Sequence, residues 1–448
     1  MMNLNVDFFK KIIRGKHSKS VIFLLILNVV GIIVNFLLVP LLIGILNSEK
    51  YGIWLTITSL IAWVNFLDFG LGHGLRNKLA ESISINDFAL ARSYVSTSYF
   101  SIFFLVLFFL LISISIVPIV NWSMVFNASP YLNDELQKVV FWIFFIYSFQ
   151  FLFKLITSIL QAIQKPEFAS LVNVSGLGLS LLVIWMLTIS NTDPNLWLLG
   201  VILVGSPILT MGIANVLFFT GEYKFLRPSW DFFNSKLIKV LFSLGGAFFI
   251  IQLTSIFLFQ SNNILIAHAV GPEAVTDFNI AFKYLGVVST VFYLINMPFW
   301  SASTEAFSKK NYSWINEKIK NLNLIWILFV LSLVGLLFIA PWFYHLWLGD
   351  KVIVKFDLLI LLSIYYLLYM QWSIYGSFIN GSGKVRFQMI ATLLLALIHI
   401  PLAYKLGSKF GVNGIVFSMI FHAFLNILWP RIQLNKLVNE KAYGIWNK

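Results

Sequence analysis

Apolar residues in this sequence come in long blocks, not in the alternating or one-sided patterns of a water-soluble fold. A helix needs about 20 residues to cross ~30 Å of hydrocarbon. Twelve runs of that kind are present, at 21–46, 51–68, 98–120, 139–162, 168–189, 195–219, 242–269, 279–300, 323–347, 354–380, 388–407 and 413–434. They are apolar on every face, which excludes a membrane β-barrel with its short alternating strands. The pattern predicts an all-α integral membrane protein of about twelve transmembrane helices. The longest segment between runs, 69–97, reads as an amphipathic interfacial stretch, so no extramembrane domain is expected.

Composition narrows the class further. Of 448 residues, 59% are apolar and 11% charged, against about 25% charged in an ordinary soluble domain. Mean hydropathy is +0.87. A soluble fold of this size still exposes about a quarter of its unfolded surface, and this chain cannot hide that much apolar area. Soluble enzymes, secreted domains, nucleic-acid binders and disordered proteins are thereby disfavoured. The chain has no Cys, so disulfides, Cys-bound zinc and iron–sulfur clusters drop out. It has no D-x-D, Walker A, H-E-x-x-H or G-x-S-x-G motif. Gly381-Ser382-Gly383-Lys384 imitates part of a phosphate loop, but it falls between two membrane helices with no strand before it. No cofactor is expected, and energy must come from an ion gradient or from consumption of a product outside.

The formal net charge is +13. In a membrane protein that excess points to orientation and to anionic membrane lipids, not to nucleic acid. With both termini inside, 23 of the 31 Lys and Arg fall on inside segments and six on outside loops, while Lys154 and Lys283 fall within spans. This predicts cytoplasmic N- and C-termini. The run from Val21 is too long for a cleavable signal and lacks an A-x-A site. Trp54, Trp122, Trp142, Trp197, Trp342 and Trp347 lie near the outer edges, as an aromatic belt does.

The two halves align. Glu49 matches Glu273 and Glu81 matches Glu305 at a shift of 224, Pro118 matches Pro341 at 223, and Lys165 matches Lys384 at 219. Six spans return the chain to the same side, so the repeats are parallel. Residues 1–224 and 225–448 are expected to form two six-helix lobes around a central cavity, an arrangement that builds alternating-access transporters.

Tyr51-Gly52-Ile53-Trp54, then Leu67-Asp68-Phe69-Gly70-Leu71-Gly72-His73-Gly74-Leu75-Arg76-Asn77-Lys78-Leu79-Ala80-Glu81, resemble the O-antigen flippases. These are polysaccharide transporters of the multidrug/oligosaccharidyl-lipid/polysaccharide superfamily. The start of the second half, Gly271 to Lys283, also looks like them. The resemblance implies translocation of an undecaprenyl-diphosphate-linked oligosaccharide between the leaflets of a bacterial inner membrane. It also implies a hydrated, cationic cavity, and polysaccharide polymerases as partners.

Polar groups at membrane depth face protein or water. Asn28, Gly31 and Asn35 share one helical face, and the shift of 224 carries Asn28 onto Gln252. Span 7 adds Gln260, Asn262 and Asn263. Two readings stand: interhelical hydrogen bonding beside small residues, or stripes that line the cavity and bind sugar hydroxyls. Lys154 and Lys283 either snorkel to the headgroups or face a diphosphate. Asp68, His73, Arg76 and Glu81 cluster at the inner end of span 2, where glycines 70, 72 and 74 are expected to interrupt the helix. Arg76 there could grip a phosphate bidentately or pair with Asp68. Glu81 and Glu305 are gating or coupling candidates, or solvated acids at helix ends. His268, His399 and His422 look like scattered packing or interfacial residues.

The leading function is a lipid-linked oligosaccharide flippase. An ion-coupled multidrug or small-solute exporter is the alternative, although buried acids would suit a cation exporter better than buried lysines. A membrane polymerase or ligase would need a large outer loop with clustered charges, and none is present, so no enzyme is expected.

Overall fold

The computed structural model describes residues 18–64, 71–190, 192, 194–243, 246–349 and 354–447. Among them there are helices and no strands. The long helices are α1 (Ser18–Val64), α2 (Leu71–Ser84), α3 (Phe88–Ser115), α4 (Asn133–Ala162), α5 (Pro166–Ile189), α6 (Leu196–Thr220), α7 (Ser235–Ser243), α8 (Gly246–Ala269), α9 (Pro272–Asn296), α10 (Pro298–Ser308), α11 (Tyr312–Leu348), α12 (Phe356–Ser382) and α13 (Arg386–Val438). Two of these are pairs of spans joined without a loop. α1 breaks at Asn47 (φ 61°) and α13 at Gly411 (φ 64°). With each limb counted separately and α8 included, the helices accommodate the twelve expected spans.

Several helices outrun their apolar blocks on the polar side. α3 starts at Phe88, ten residues before its run, because Asp87 caps it by accepting from the Leu90 N–H at 2.9 Å. α11 starts at Tyr312 for the same reason, with Asn311 accepting from the Trp314 N–H at 3.2 Å. These side chains satisfy amides that the first helical turn leaves unpaired.

The two caps are 224 residues apart, the spacing of the repeat. Residues with left-handed backbone recur in the same way: Asn47 with Gly271, and Asn86 with Lys310. Gln164 and Gly383 are 219 apart, like the lysines that follow them. The halves thus share their helix breaks as well as scattered residues.

The chain forms two compact units. The first comprises Met1–Asn47, Val64–Val125 and Ser129–Gly246; the second comprises Ser48–Trp63, Phe126–Ala128 and Ala247–Lys448. Within the first, Asn215 on α6 staples three helices. It accepts from the Tyr99 hydroxyl on α3 and donates to the Phe153 carbonyl on α4 at 2.9 Å. Gly176 lets α5 approach α6, where an added Cβ would lie 2.5 Å from Pro207 Cα. In the second unit, the second limb of α1 packs on the start of α9. Thr276 donates to the Ser48 carbonyl at 2.7 Å, and a Cβ on Gly52 would lie 1.8 Å from the Pro272 carbonyl oxygen.

Loops that alternation places on one side meet one another within each unit. In the first, Arg92 donates to the Arg227 carbonyl at 3.0 Å, and Lys165 lies 3.8 Å from Glu222. In the second, Lys310 pairs with Glu440 at 3.4 Å and Gln433 donates to the Lys384 carbonyl at 2.8 Å. On the opposite side Asn413 donates to Asp357 at 2.6 Å.

The glycine-rich motif differs from expectation. α2 runs unbroken from Leu71, so Gly72 and Gly74 do not interrupt it, and Gly70 lies outside the described residues. Gly74 serves close approach instead. A Cβ there would sit 2.2 Å from the Leu241 carbonyl oxygen on α7. Leu75 and Leu79 are buried while Arg76 and Asn77 are exposed, the one-sided pattern of an interfacial helix.

Candidate functional site

α4 carries the main polar feature of the first unit. Gln150, Lys154, Ser158 and Gln161 follow at intervals of four, four and three residues, so they line one face over three turns. All four are half-buried, among neighbours such as Leu155, Ile156 and Ile159 that are buried. Arg76, exposed on α2, donates from Nη1 to Gln161 Oε1 at 3.1 Å. It therefore joins the end of the stripe, about 10 Å along the helix from Lys154 at 1.5 Å per residue. That bond is to a neutral amide. Among the described residues, Lys154 makes no ion pair. Two cations thus share a stripe that also offers an amide and a hydroxyl. Arg76 and Lys154 stand out in the sequence as charges, whereas Gln150, Ser158 and Gln161 carry only the weaker signal of helical spacing within an apolar run.

Two other basic residues near that end, Lys165 and Lys78, have acidic partners. The Tyr223 hydroxyl, by hydrogen bonding, holds the Lys165 ammonium above the ordinary lysine range, with the Glu222 charge adding to the effect. Lys78 pairs with Glu81 at 2.7 Å within α2, so the candidate gating acid Glu81 is engaged by its own helix and exposed.

The remaining sequence candidates separate. Asn28 and Asn35, on the first limb of α1, donate to the carbonyls of Leu24 and Gly31, both at 2.9 Å. Asn28 is half-buried and Asn35 exposed. Asn262 and Asn263, on α8, are buried and cross-linked to other helices. Asn263 donates to Ser59 Oγ at 2.8 Å and accepts from Asn279 on α9 at 2.8 Å. Asn262 meets His399 at 3.0 Å. Lys283 lies half-buried on α9, one turn from Asn279, and makes no ion pair among the described residues. Asp68 lies outside the described residues, as do the side chains of His73, Gln252 and Glu305.

The histidines are less scattered than expected. His399 and His422 sit on the two limbs of α13, and the bend at Gly411 brings their ring centroids to 6.1 Å. His268, on α8, is exposed. No group of three metal-ligating side chains occurs among the described residues.

These features define a multi-pass α-helical membrane protein, and its fold is that of solved membrane transporters. A multidrug resistance MATE family transporter of the MOP superfamily, solved in an inward-facing conformation, superposes with a TM-score of 0.79 at 16% identity, covering 92% of this chain and 96% of its own. The polysaccharide biosynthesis protein family matches residues 18–303, and the chain belongs to that family. A Yersinia pseudotuberculosis protein named for O-antigen export is 21% identical over 92% of this chain and 95% of its own length. A Salmonella typhimurium protein named for O-antigen transport is 19% identical over 87% and 89%.

Proposed function

We propose that the chain is a flippase that moves an undecaprenyl-diphosphate-linked oligosaccharide from the cytoplasmic to the periplasmic leaflet of a bacterial inner membrane. The observation that carries this reading is the cationic stripe of α4. A diphosphate brings about two negative charges to a layer where one unpaired charge costs about 2.5–3.5 kcal/mol or more. Arg76 and Lys154 offer fixed positive charge along one face, while Gln150, Ser158 and Gln161 suit polar atoms of the sugar or phosphate. The end-to-end match to relatives named for O-antigen export supports this substrate class.

The repeated halves support alternating access between lobes spanning 1–224 and 225–448. The basic residues support cytoplasmic N- and C-termini. A polysaccharide polymerase is the expected partner outside, and the chain itself performs no covalent chemistry. A small-solute exporter is the competing reading, because the solved neighbours include multidrug transporters. The acids of α4, Asp134 and Glu135, lie in its first turn, away from the stripe, and Glu135 accepts from the Leu196 N–H at 2.9 Å.

The deciding experiment deletes the gene and follows lipid-linked repeat units. Accumulation on the cytoplasmic face with loss of surface polysaccharide is the expected result. Normal polysaccharide with altered drug tolerance would favour the exporter. In complementation, Arg76→Ala should impair export at normal protein level. Arg76→Lys should recover part of it, but less than wild type if the phosphate contact is bidentate.

A further inference from the structure

The histidine pair of the second unit, His399 buried and His422 half-buried, has no part in the α4 stripe. His399 is 2% exposed and Asn262 1%. Asn262 Nδ2 donates to the Leu258 carbonyl at 3.0 Å, which turns its Oδ1 toward His399 Nε2 at 3.0 Å. An amide oxygen only accepts, so Nε2 carries a hydrogen. On the other side of the ring, Nδ1 lies 3.0 Å from Ser418 Oγ, and the same hydroxyl lies 3.4 Å from the His399 carbonyl oxygen.

This arrangement serves both charge states of the imidazole. When the ring is neutral, the Ser418 hydroxyl donates to Nδ1. When the ring is protonated, Nδ1–H donates to Ser418 Oγ, and the hydroxyl hydrogen turns to the His399 carbonyl. Every buried polar atom named keeps a partner in each state, which buried polar groups require.

His422 is built differently. The Trp429 indole donates to Asn426 Oδ1 at 3.0 Å, so Asn426 presents Nδ2 to His422 Nε2 at 2.7 Å. Nε2 must accept and cannot take a proton without breaking the Trp429 bond. One imidazole is switchable and its neighbour is held neutral, which also spares the pair the repulsion of two like charges.

The first unit has no such row at the corresponding positions. At the shifts of 224 and 219, Asn262 and His399 correspond to Leu38 and Ser180 in the first unit. Both are buried, and Ser180 bonds to the carbonyls of Gly176 and Ile202 at 3.2 and 3.4 Å.

α8 from Gly246 to Ala267, α12 from Leu358 to Ser382, and α13 from Phe387 to Tyr404 and from Phe410 to Pro430 contain no Asp, Glu, Lys or Arg. The other titratable groups of these helices and of α9 are Asp357, Tyr365, Tyr366, Tyr369 and Tyr375 on α12, His268 on α8, Glu273, Asp277, Lys283, Tyr284 and Tyr293 on α9, and Arg386, Tyr404, Lys405, Lys409, Arg431 and Lys436 toward the ends and bend of α13. Tyr366 is engaged with the Phe282 carbonyl at 2.8 Å, and Arg431 stacks over Tyr375.

We infer that His399 is a proton-binding site, with Asn262 and Ser418 as positioning residues, and that its loading and release couple the transport cycle to a proton gradient. The proton enters from water on one side, resides on Nδ1, and leaves to water on the other. The coupling clause rests on the export reading above; proton binding itself does not.

Two measurements separate them. The first is imidazole 15N NMR of the full-length protein in lipid bilayers over about pH 8 to 4. One resonance absent from His399→Gln should pass from the neutral Nε2–H form to the doubly protonated form. Ser418→Ala should move that transition to lower pH, because the charged ring loses its acceptor. Failure of the His399 signal to protonate overturns the proposal. The second is complementation of a deletion strain. Restoration of surface polysaccharide by wild type establishes export. The double swap Asn262→Leu with His399→Ser installs the residues found at the corresponding positions of the first unit and should accumulate in the membrane yet lose export. Export at the wild-type level by the swap overturns coupling while leaving the export reading intact. If wild type restores nothing, the export reading and coupling fall together, and the NMR titration alone decides the proton site.

Discussion

α4 and α12 occupy equivalent places in the two halves, and their polar stripes coincide. At the shift of 219, Gln150, Lys154, Ser158 and Gln161 correspond to Tyr369, Ser373, Ser377 and Asn380. In the second half, Asn296 on α9 closes the stripe, donating to the Ser373 carbonyl and to Ser377 Oγ, both at 2.8 Å. In the first half the same positions hold a lysine with no ion pair among the described residues, joined at one end by Arg76. Identical spacing therefore encodes a packing staple in one unit and an unbalanced charge in the other. What decides between them is whether a facing helix supplies the partner.

The largest expected effect comes from making the stripes alike. Lys154→Ser installs the residue of α12 and should lower surface polysaccharide on the order of 100-fold at normal protein level, since a charge cost of ~2.5–3.5 kcal/mol is no longer offset. Lys154→Arg should retain export. Equal export by Lys154→Ser at matched expression would mean the lysine only snorkels.

Opening the closed stripe is the next test. Asn296→Leu removes the staple of α12 and should destabilise the protein by about 1–3 kcal/mol, read as earlier thermal unfolding in detergent. An unchanged unfolding temperature would deny the staple its role.

Solvent access sharpens the same contrast. The chain lacks Cys, so single cysteines report cleanly. Cysteines replacing Gln150 and Ser158 should react with small hydrophilic thiol reagents in intact membranes, and those replacing Ser373 and Ser377 should not. Equal labelling of both stripes would erase the distinction.

The smallest difference is in the asparagines. Asn263→Leu should cost about 1–2 kcal/mol through its lost bonds to Ser59 and Asn279. Asn35→Leu, which loses only a bond to its own helix, should stay within about 0.5 kcal/mol. Unfolding in denaturing detergent would compare the two.

Much of the fold was legible because lipid leaves the backbone few options, and apolar runs alone mark the spans. The true starts of α3 and α11 were not, because Asp87 and Asn311 act from polar stretches that hydropathy ignores. Arg76 and Lys154 stood out as charges at a costly depth. Gln150, Ser158 and Gln161 did not, since polar residues at helical spacing equally serve packing, as Ser373 and Ser377 do. The glycine motif was visible, but the meaning of Gly74 depends on Leu241, remote in sequence. His399 and His422 read as singles because only the turn at Gly411 folds one limb of α13 back on the other.

The second limb of α1 belongs to the second unit, and this bears on how the protein is made. Ser59 leaves the ribosome 204 residues before its partner Asn263. At about 5–20 residues per second, that helix waits roughly 10–40 s in the membrane for the neighbour it is shaped to meet. Its hydroxyls are provided for in the interval: Thr56 donates to the Gly52 carbonyl and Ser59 to the Leu55 carbonyl, both at 3.0 Å within the same helix. The nascent segment can therefore rest in lipid with those groups satisfied. It commits to the later-made half only when Asn263 arrives to bond to Ser59.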